Sequence, residues 1–203
     1  MIQTISRFRV DDAWTKQKRD RYLKAVYGKW SVEGRYVLID KSRCSTLIQM
    51  RFEVDTICQV EDGKSICIEE KIVRWKGKRL QRFFLETESC TNEGHESPGW
   101  MHYGEADFLL YAFELEDGSL DVYLIDFKKL KDWFWSVDHS DYYSHTMEEE
   151  NCTKGLLVDI VDVVENVTTK RFHVKEDGTC IAQQINISVS AFTGRRYIKQ
   201  VTV

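Results

Sequence analysis

The chain has 203 residues, of which 42% are apolar and 12% aromatic, enough for a full-sized hydrophobic core. It has no apolar run of membrane-spanning length, and its first residues lack the apolar core of a secretion signal. The six cysteines include no CxxC pair, which favours reduced thiols over a disulfide framework. We therefore expect a cytoplasmic protein with no membrane partner, folded as a single domain over residues 1–203.

The net charge of −4 conceals a strong asymmetry along the chain. Residues 1–51 hold 12 Lys and Arg against 5 Asp and Glu, whereas residues 83–165 hold 4 against 20. The basic part could contact the phosphates of a nucleic acid, and the acidic part could face a protein partner with a basic surface. Solvated faces without a partner are the alternative interpretation of both regions.

Residues 11–28 carry apolar side chains at helical spacing, which predicts an amphipathic helix ending at Gly28. A short strand is predicted at residues 35–40. The opposite face of the helix is basic and is either a DNA-backbone contact or a solvated helix face. Together with a later turn, it supplies the predicted nucleic-acid-binding residues, which are Lys16, Arg19, Lys24, Arg74 and Lys76.

Three strand-like segments between residues 52 and 88 carry acidic side chains among aliphatic ones. Asp55 lies in the first segment, Glu69 and Lys71 lie in the second, and Glu86 lies in the third. Glycine-containing turns separate the segments and predict an antiparallel meander. Because alternate side chains of a strand share a face, Glu69 and Lys71 should point the same way. Unpaired buried charge is costly, so this concentration of acids predicts a functional site.

Apolar strands and polar turns alternate after the acidic segments. A polar loop at residues 90–100 precedes residues 104–115, which are predicted to begin with a short helical or capped entry and to continue as a buried strand. An Asp-Gly turn then leads to a strand at residues 121–127, and a helix begins at about Phe127. This helix contains three consecutive aromatic residues at 133–135, which are interpreted as core or subunit interface, with base stacking as the alternative.

The last third of the chain is predicted to be richer in strands. A polar acidic loop covers residues 138–150, and residues 153–167 form a strand or helix with a strongly apolar face. After residue 166, period-two alternation around glycine turns predicts two or three added strands.

The acidic segments contain side chains suited to phosphodiester hydrolysis. This reaction needs an activated water and stabilisation of charge on the phosphoryl group, and one or two Mg²⁺ ions can supply both. Mg²⁺ prefers oxygen ligands and keeps several waters, so Asp55, Glu69 and a backbone carbonyl would suffice. Lys71 could orient the water or neutralise charge. Alternatively, Asp55 caps a turn, and Glu69 forms a surface ion pair with Lys71.

The pattern Asp55…Glu69-x-Lys71 resembles the PD-(D/E)XK signature of the restriction-endonuclease-like superfamily. Five segments resemble, in the same order, segments of small phage and bacterial members of this family. The similarity covers roughly residues 45–165, and the segments are QMRFEVDTICQVEDGKSICIEEK, FFLETES, SPGWMHYGEADFLLYAF, DVYLIDFKKLKDW and NCTKGLLVDI. Two departures from the family pattern are Phe52-Glu53 in place of a glycine and Glu69 in place of an aspartate.

The resemblance implies an α/β restriction-endonuclease-like fold, in which a mixed central sheet is flanked by helices. The core would span about residues 10–165, with a β-rich C-terminal extension over residues 166–203. The implied activity is that of a metal-dependent endo- or exodeoxyribonuclease in phage or bacterial DNA processing, in the host cytoplasm if phage-encoded. By the same resemblance, Asp55 and Glu69 would bind Mg²⁺ or Mn²⁺, Lys71 would be catalytic and Glu86 a supporting acid.

A second hypothesis is a catalytically inactive nuclease-like fold that binds protein or DNA, or acts as an inhibitor. Its acidic region at residues 83–165 would suit a basic protein partner, and a homodimer is possible under either hypothesis. An open cleft that brings Asp55, Glu69 and Lys71 together would favour the enzyme. A tight Glu69–Lys71 pair in a blocked groove would favour the binding protein.

Overall fold

The computed structural model describes residues 14–33, 38–43, 54–60, 63–75, 82–90, 96–147, 153–189 and 196–198. In this part of the chain, a mixed central sheet packs against an N-terminal helix on one face and a smaller second sheet on the other. No helix within these ranges is long and apolar enough to cross a membrane. The predicted α/β architecture, with a mixed sheet flanked by helices, is confirmed at this level.

The described elements comprise four helices, a further short 3-10 helix at His139–Asp141 and thirteen strands. The helices are α1 (residues 14–33), α2 (Trp100–Tyr103), α3 (Phe127–Ser136) and α4 (Ile160–Asn166). The strands are β1 (Leu38–Arg43), β2 (Thr56–Val60), β3 (Ser65–Val73), β4 (Arg82–Cys90), β5 (Glu96–Pro98), β6 (Phe108–Glu114), β7 (Leu120–Asp126), β8 (Tyr143–Met147), β9 (Thr153–Asp159), β10 (Thr169–Val174), β11 (Cys180–Gln183), β12 (Ile187–Val189) and β13 (Arg196–Ile198).

The central sheet has seven strands in the spatial order β1-β2-β3-β6-β7-β10-β11. Its neighbouring strands are antiparallel except for β3 and β6, which run parallel. Parallel neighbours need a long crossover, and here the crossover carries β4, β5 and α2 onto the other layer. The predicted C-terminal strands β10 and β11 extend this sheet beyond β7, and β12 pairs with β13 separately.

Three hairpin turns share the sequence Glu-Asp-Gly. Their glycines are Gly63, Gly118 and Gly178, with φ of +79°, +81° and +88°. Each glycine amide donates a hydrogen bond to the carbonyl three residues earlier, at 2.9, 3.0 and 2.9 Å respectively. Positive φ strains any residue with a Cβ atom, which explains the glycine at these turns. The three predicted glycine turns are confirmed, whereas the turn predicted at residues 75–79 extends outside the described residues.

The prediction that the three acidic segments form one meander is wrong. β2 and β3 pair antiparallel as predicted. β4, which carries Glu86, instead pairs with β5 and β9 in the second sheet, whose order is β5-β4-β9-β8. The predicted loop at residues 138–150 is also wrong in part, because β8 lies within it and pairs with β9. Residues 153–167, predicted as a strand or a helix, form the strand β9 followed by the helix α4.

Two buried apolar clusters hold the layers together. The first packs one face of the central sheet against α1, through Tyr22, Leu23, Val26, Tyr27 and Trp30. The second packs the other face against the second sheet, α3 and α4. Phe83 of β4 lies at its centre, edge-on to Tyr111 and Tyr123 at centroid distances of 5.0 and 5.6 Å. Such edge-to-face pairs add about 0.5–1.5 kcal/mol each beyond their buried area.

The N-terminal helix α1 does not end at Gly28 as predicted. It contains a π-helical turn at Arg19–Leu23 and continues as α-helix over Lys24–Glu33. Trp30, beyond the glycine, is buried and packs edge-on against Phe108 at 5.2 Å. Burial of this indole outweighs the cost of a mid-helix glycine, which is about 1 kcal/mol.

Two glycines should respond in opposite ways to substitution by alanine. A Cβ at Gly155 would lie 2.6 Å from the Leu85 carbonyl oxygen and 2.7 Å from the Phe84 ring, so Gly155→Ala should destabilise by about 1–3 kcal/mol. Gly28 is helical with open space around its Cβ position, so Gly28→Ala should stabilise by about 0.5–1 kcal/mol. Urea unfolding monitored by circular dichroism measures both changes, and a shift of the same sign in both variants would contradict this packing.

Candidate functional site

β3 directs its acidic side chains to opposite faces of the central sheet. Ile66 and Ile68 belong to the cluster under α1, whereas Cys67 packs against the cluster under the second sheet. By alternation, Glu70 faces α1, while Glu69 and Lys71 face the second sheet. The predicted common orientation of Glu69 and Lys71 thus agrees with the contacts of their strand.

Glu69 and Lys71 form a close ion pair. The distance from Lys71 Nζ to Glu69 Oε1 is 2.7 Å, and the side chains are 31% and 4% exposed respectively. Lys71 Nζ also lies 5.2 Å from the centroid of the Trp100 ring in α2. The ammonium group stabilises the nearly buried carboxylate and is itself held between Glu69 and an aromatic face. Lys71 nevertheless keeps access to solvent.

Asp55 is fixed against β3 immediately before β2 begins. Its amide donates to the Ile68 carbonyl at 2.9 Å, and its carboxylate accepts a hydrogen bond from the Glu70 amide at 3.0 Å. These two hydrogen bonds hold Asp55 against β3 and direct its carboxylate to the backbone amide between Glu69 and Lys71. Arg19 of α1 approaches the same carboxylate, with 3.8 Å between its Nη2 and Asp55 Oδ2.

Glu70 is the centre of a buried polar cluster between β3 and α1. Its Oε1 accepts hydrogen bonds from the Tyr27 hydroxyl at 2.5 Å and the Thr56 hydroxyl at 2.8 Å, and its Oε2 pairs with Arg19 Nε. Burial, followed by the Glu70 charge, raises the pKa of Tyr27 well above its usual value, so its hydroxyl remains a donor. Glu70 therefore ties α1 to β3.

Arg19 is the residue of this cluster whose role the sequence interpretation missed. The sequence predicts Arg19 on the basic face of the helix as a nucleic-acid contact, but its side chain turns inward to Glu70. A signal was present, because Arg19 precedes the buried Tyr22 and Leu23 by three and four residues and thus shares their helix face. The π-helical turn begins at Arg19. Such turns are rare in proteins, and those that occur often lie at functional sites.

Glu86 borders the candidate site from the second sheet. It lies on β4 next to a register shift between Glu86 and Glu88. Its backbone and Cγ crowd Gly99, where an added Cβ would come within 2.6 Å of the Glu86 carbonyl oxygen. Gly99 directly precedes Trp100, whose ring contacts Lys71. Glu86 thus approaches the site through the start of α2 and is not a strand neighbour of Glu69.

The remaining predicted nucleic-acid contacts are only partly described. Lys16 and Lys24 are exposed on α1. Arg74 is exposed at the end of β3 and lies over the Trp14 ring at 5.4 Å. Lys76 lies outside the described residues.

A second buried charge cluster joins β7 and β10, the two strands that follow β6 in the central sheet. Arg171 of β10 donates from Nη2 to Asp121 Oδ2 of β7 at 2.6 Å, and the side chains are 3% and 2% exposed. His173 Nδ1 lies 3.5 Å from Asp121 Oδ1. On successive strands of the sheet, Arg171 pairs with Tyr123, Tyr123 with Tyr111, and Tyr111 with Lys71. Burial, followed by the Asp121 charge, raises the pKa of Tyr123.

Asp55 and Glu69 carry carboxylates, the ligand type that Mg²⁺ prefers, and could hold this ion together with water. Their surroundings differ, because Arg19 of α1 approaches Asp55, whereas Glu69 faces the second sheet and pairs with Lys71. No group of three or more His, Cys, Asp or Glu side chains gathers as a metal cage within the described ranges. Comparisons of the chain with protein-family models, curated proteins and solved structures find no match, so the residues themselves define this candidate site.

Proposed function

We propose that this protein is a metal-dependent nuclease that hydrolyses phosphodiester bonds of DNA. One observation carries the proposal: the Asp55 carboxylate is hydrogen-bonded to the amide of Glu70, within the Glu69-x-Lys71 segment. Two acids and a lysine are thereby associated with one stretch of β3. The mixed central sheet supports the finer assignment to the restriction-endonuclease-like fold, and the setting would be phage or bacterial DNA processing in the cytoplasm.

Each residue of the site has a distinct role in the proposed reaction. Asp55 and Glu69 hold Mg²⁺ or Mn²⁺, which supplies charge stabilisation and an activated water when bound. Lys71 orients the attacking water or neutralises charge on the phosphoryl group, and its partial exposure leaves it within reach of a substrate. Glu86 supports the site through the Gly99–Trp100 segment. Lys16, Lys24 and Arg74 are proposed to contact the DNA backbone.

A second candidate function is binding without catalysis, and the state of Glu69 favours it. The Glu69 side chain is 4% exposed and already paired with Lys71, so a metal ion would have to compete with this ammonium group. Arg19 likewise approaches Asp55. In this case the fold would bind DNA or a protein, and the acidic region at residues 83–165 would face a basic partner or a second copy of the chain.

A cleavage assay separates the two candidate functions. Purified protein should cut single-stranded, duplex or branched DNA in Mg²⁺ or Mn²⁺ and not in EDTA. Lys71→Ala should lower the rate roughly 10²–10³-fold, because a positioned charge at the reacting phosphate is lost. Lys170→Ala removes an exposed lysine from another strand of the same sheet and should cut like the wild type.

Two results would overturn the nuclease proposal. One is the absence of metal-dependent cleavage on all three forms of DNA. The other is cleavage that persists at the wild-type rate in Lys71→Ala. DNA binding that is retained without any cleavage would instead establish the second candidate function.

A further inference from the structure

We infer that Trp135 and His102 form a stacking platform for an unpaired nucleobase beside the candidate site. The substrate is then single-stranded DNA, or DNA with unpaired nucleotides. The inference rests on the proposed nuclease function for the identity of the ligand. The platform itself belongs to α2 and α3 and contains none of the proposed metal ligands.

Trp135 is an unusual side chain on this surface. Among the large hydrophobic side chains of the described part of the chain, two are exposed: Trp135 at 44% and Val73 at 39%. Within the same aromatic triplet of α3, Phe134 is buried and Trp133 partly buried against the core. The triplet is therefore not simply a core motif, because its third member faces solvent.

The platform is held in a fixed geometry. The exposed His102 ring packs against the indole of Trp135 in a tilted arrangement, with 4.3 Å between ring centroids and 35° between planes. The indole Nε1–H donates to the carbonyl oxygen of Met101 at 3.3 Å. Lys131, one turn earlier in α3, donates to the carbonyl of Gly104 at 2.6 Å. α3 is thus hydrogen-bonded to α2 and to the residue that follows it, so the rings are ordered before any ligand arrives.

The platform is connected to the proposed catalytic lysine through α2. Trp100, at the start of α2, has its ring 5.2 Å from Lys71 Nζ. His102 is two residues further along, so their Cα atoms are at most about 7.6 Å apart. A strand of DNA with one phosphate near Lys71 could therefore continue past α2 and place a base from a few nucleotides along on the platform. Lys128, two turns before Trp135, is available for a backbone phosphate, although Asp132 on the same face opposes it.

The chemistry of the platform selects unpaired bases. Every nucleobase presents an aromatic face, so stacking on Trp and His needs no particular sequence. A base inside a duplex already stacks on its neighbours and would have to leave that stack to reach Trp135. Single strands and unpaired ends reach it without this cost, which points to single-stranded DNA as the preferred substrate.

Fluorescence binding in EDTA tests the platform without cleavage. The probe is a single-stranded oligonucleotide with one 2-aminopurine, compared with its duplex. We expect the wild type to quench the probe, and Trp135→Ala to lose the quenching and raise the single-strand Kd roughly 5- to 100-fold. Trp135→Phe should restore most of the affinity, whereas Val73→Ala should bind like the wild type. Circular dichroism confirms that each variant is folded.

Three outcomes decide the inference separately from the nuclease proposal. Quenching that depends on Trp135 supports the platform, even if no metal ion produces cleavage and the nuclease proposal fails. Metal-dependent cleavage with an unchanged single-strand Kd in Trp135→Ala overturns the platform while the nuclease stands. An equal loss of duplex and single-strand affinity in Trp135→Ala also overturns it, because stacking of unpaired bases would not weaken duplex binding.

Discussion

Glu70→Ala is expected to lower the free energy of unfolding by about 3–5 kcal/mol, the scale for removing one partner of a buried ion pair. The Glu70 carboxylate accepts from Tyr27 and Thr56 and pairs with Arg19, so truncation deprives a cation and two hydroxyls of their acceptor. These groups lie between α1 and the central sheet, where water cannot readily replace the carboxylate.

The adjacent Glu69 provides a matched comparison for Glu70. Its partner Lys71 is 31% exposed and can be solvated after truncation, so Glu69→Ala should cost about 1 kcal/mol or less. Under the proposed function, Glu69→Ala should also abolish metal-dependent cleavage. Urea unfolding at pH 7, extrapolated to water, measures both free energies. Equal losses of stability in the two variants would show that the two faces of β3 are not distinct as described.

Asp121→Ala should likewise destabilise the protein by about 3–5 kcal/mol. The substitution leaves Arg171, with a side chain only 3% exposed, without its carboxylate. The pair is already imperfectly satisfied, since Arg171 Nε and Nη1 and Asp121 Oδ1 find no hydrogen-bond partner in the described structure. The lost stability should therefore come mainly from the uncompensated charge of the Arg171 guanidinium group and only to a small extent from lost packing.

A double substitution distinguishes these causes. Asp121→Leu combined with Arg171→Met replaces the pair with apolar groups and should recover most of the stability, as for other buried ion pairs. Glu88→Ala, which breaks the more solvated pair with Lys154, should cost less than about 1 kcal/mol. If the double variant were as unstable as Asp121→Ala, charge burial would not be the cause. Thermal and urea unfolding provide the measurement.

Local features of the fold could be predicted from the sequence. The Glu-Asp-Gly turns require positive φ, which identifies their glycines. The apolar run of β6 and the start of α3 at Phe127 follow from burial pattern and from the Asp126 side chain, which caps the helix by accepting from the Lys129 amide. Alternation along β3 likewise predicts that Glu69 and Lys71 share a face.

Features that depend on distant partners could not be predicted in this way. The acidic residues of β4 alternate with apolar ones, as they would in a strand beside β3. However, β4 pairs with β9 in the second sheet, where its Phe83 and Leu85 are buried. Sequence pattern specifies which side chains are buried, and it does not specify which strand lies alongside. Alternation along β3 also places Glu70 on the face opposite Glu69. Its role as a hydrogen-bond acceptor, however, depends on Tyr27 and Arg19 of a distant helix.

The alternation of the two sheets along the chain has a consequence for how the protein folds. β4 and β5 leave the central sheet before β6 and β7 return to it, and β8 and β9 precede its last strands, β10 and β11. During synthesis, the second sheet cannot be completed before β9 has emerged and the central sheet cannot be completed before β11 has emerged. Such contacts between distant parts of a chain slow folding. Until β9 arrives, β4 presents an unpaired apolar edge, so this strand is where nascent or truncated chains should aggregate.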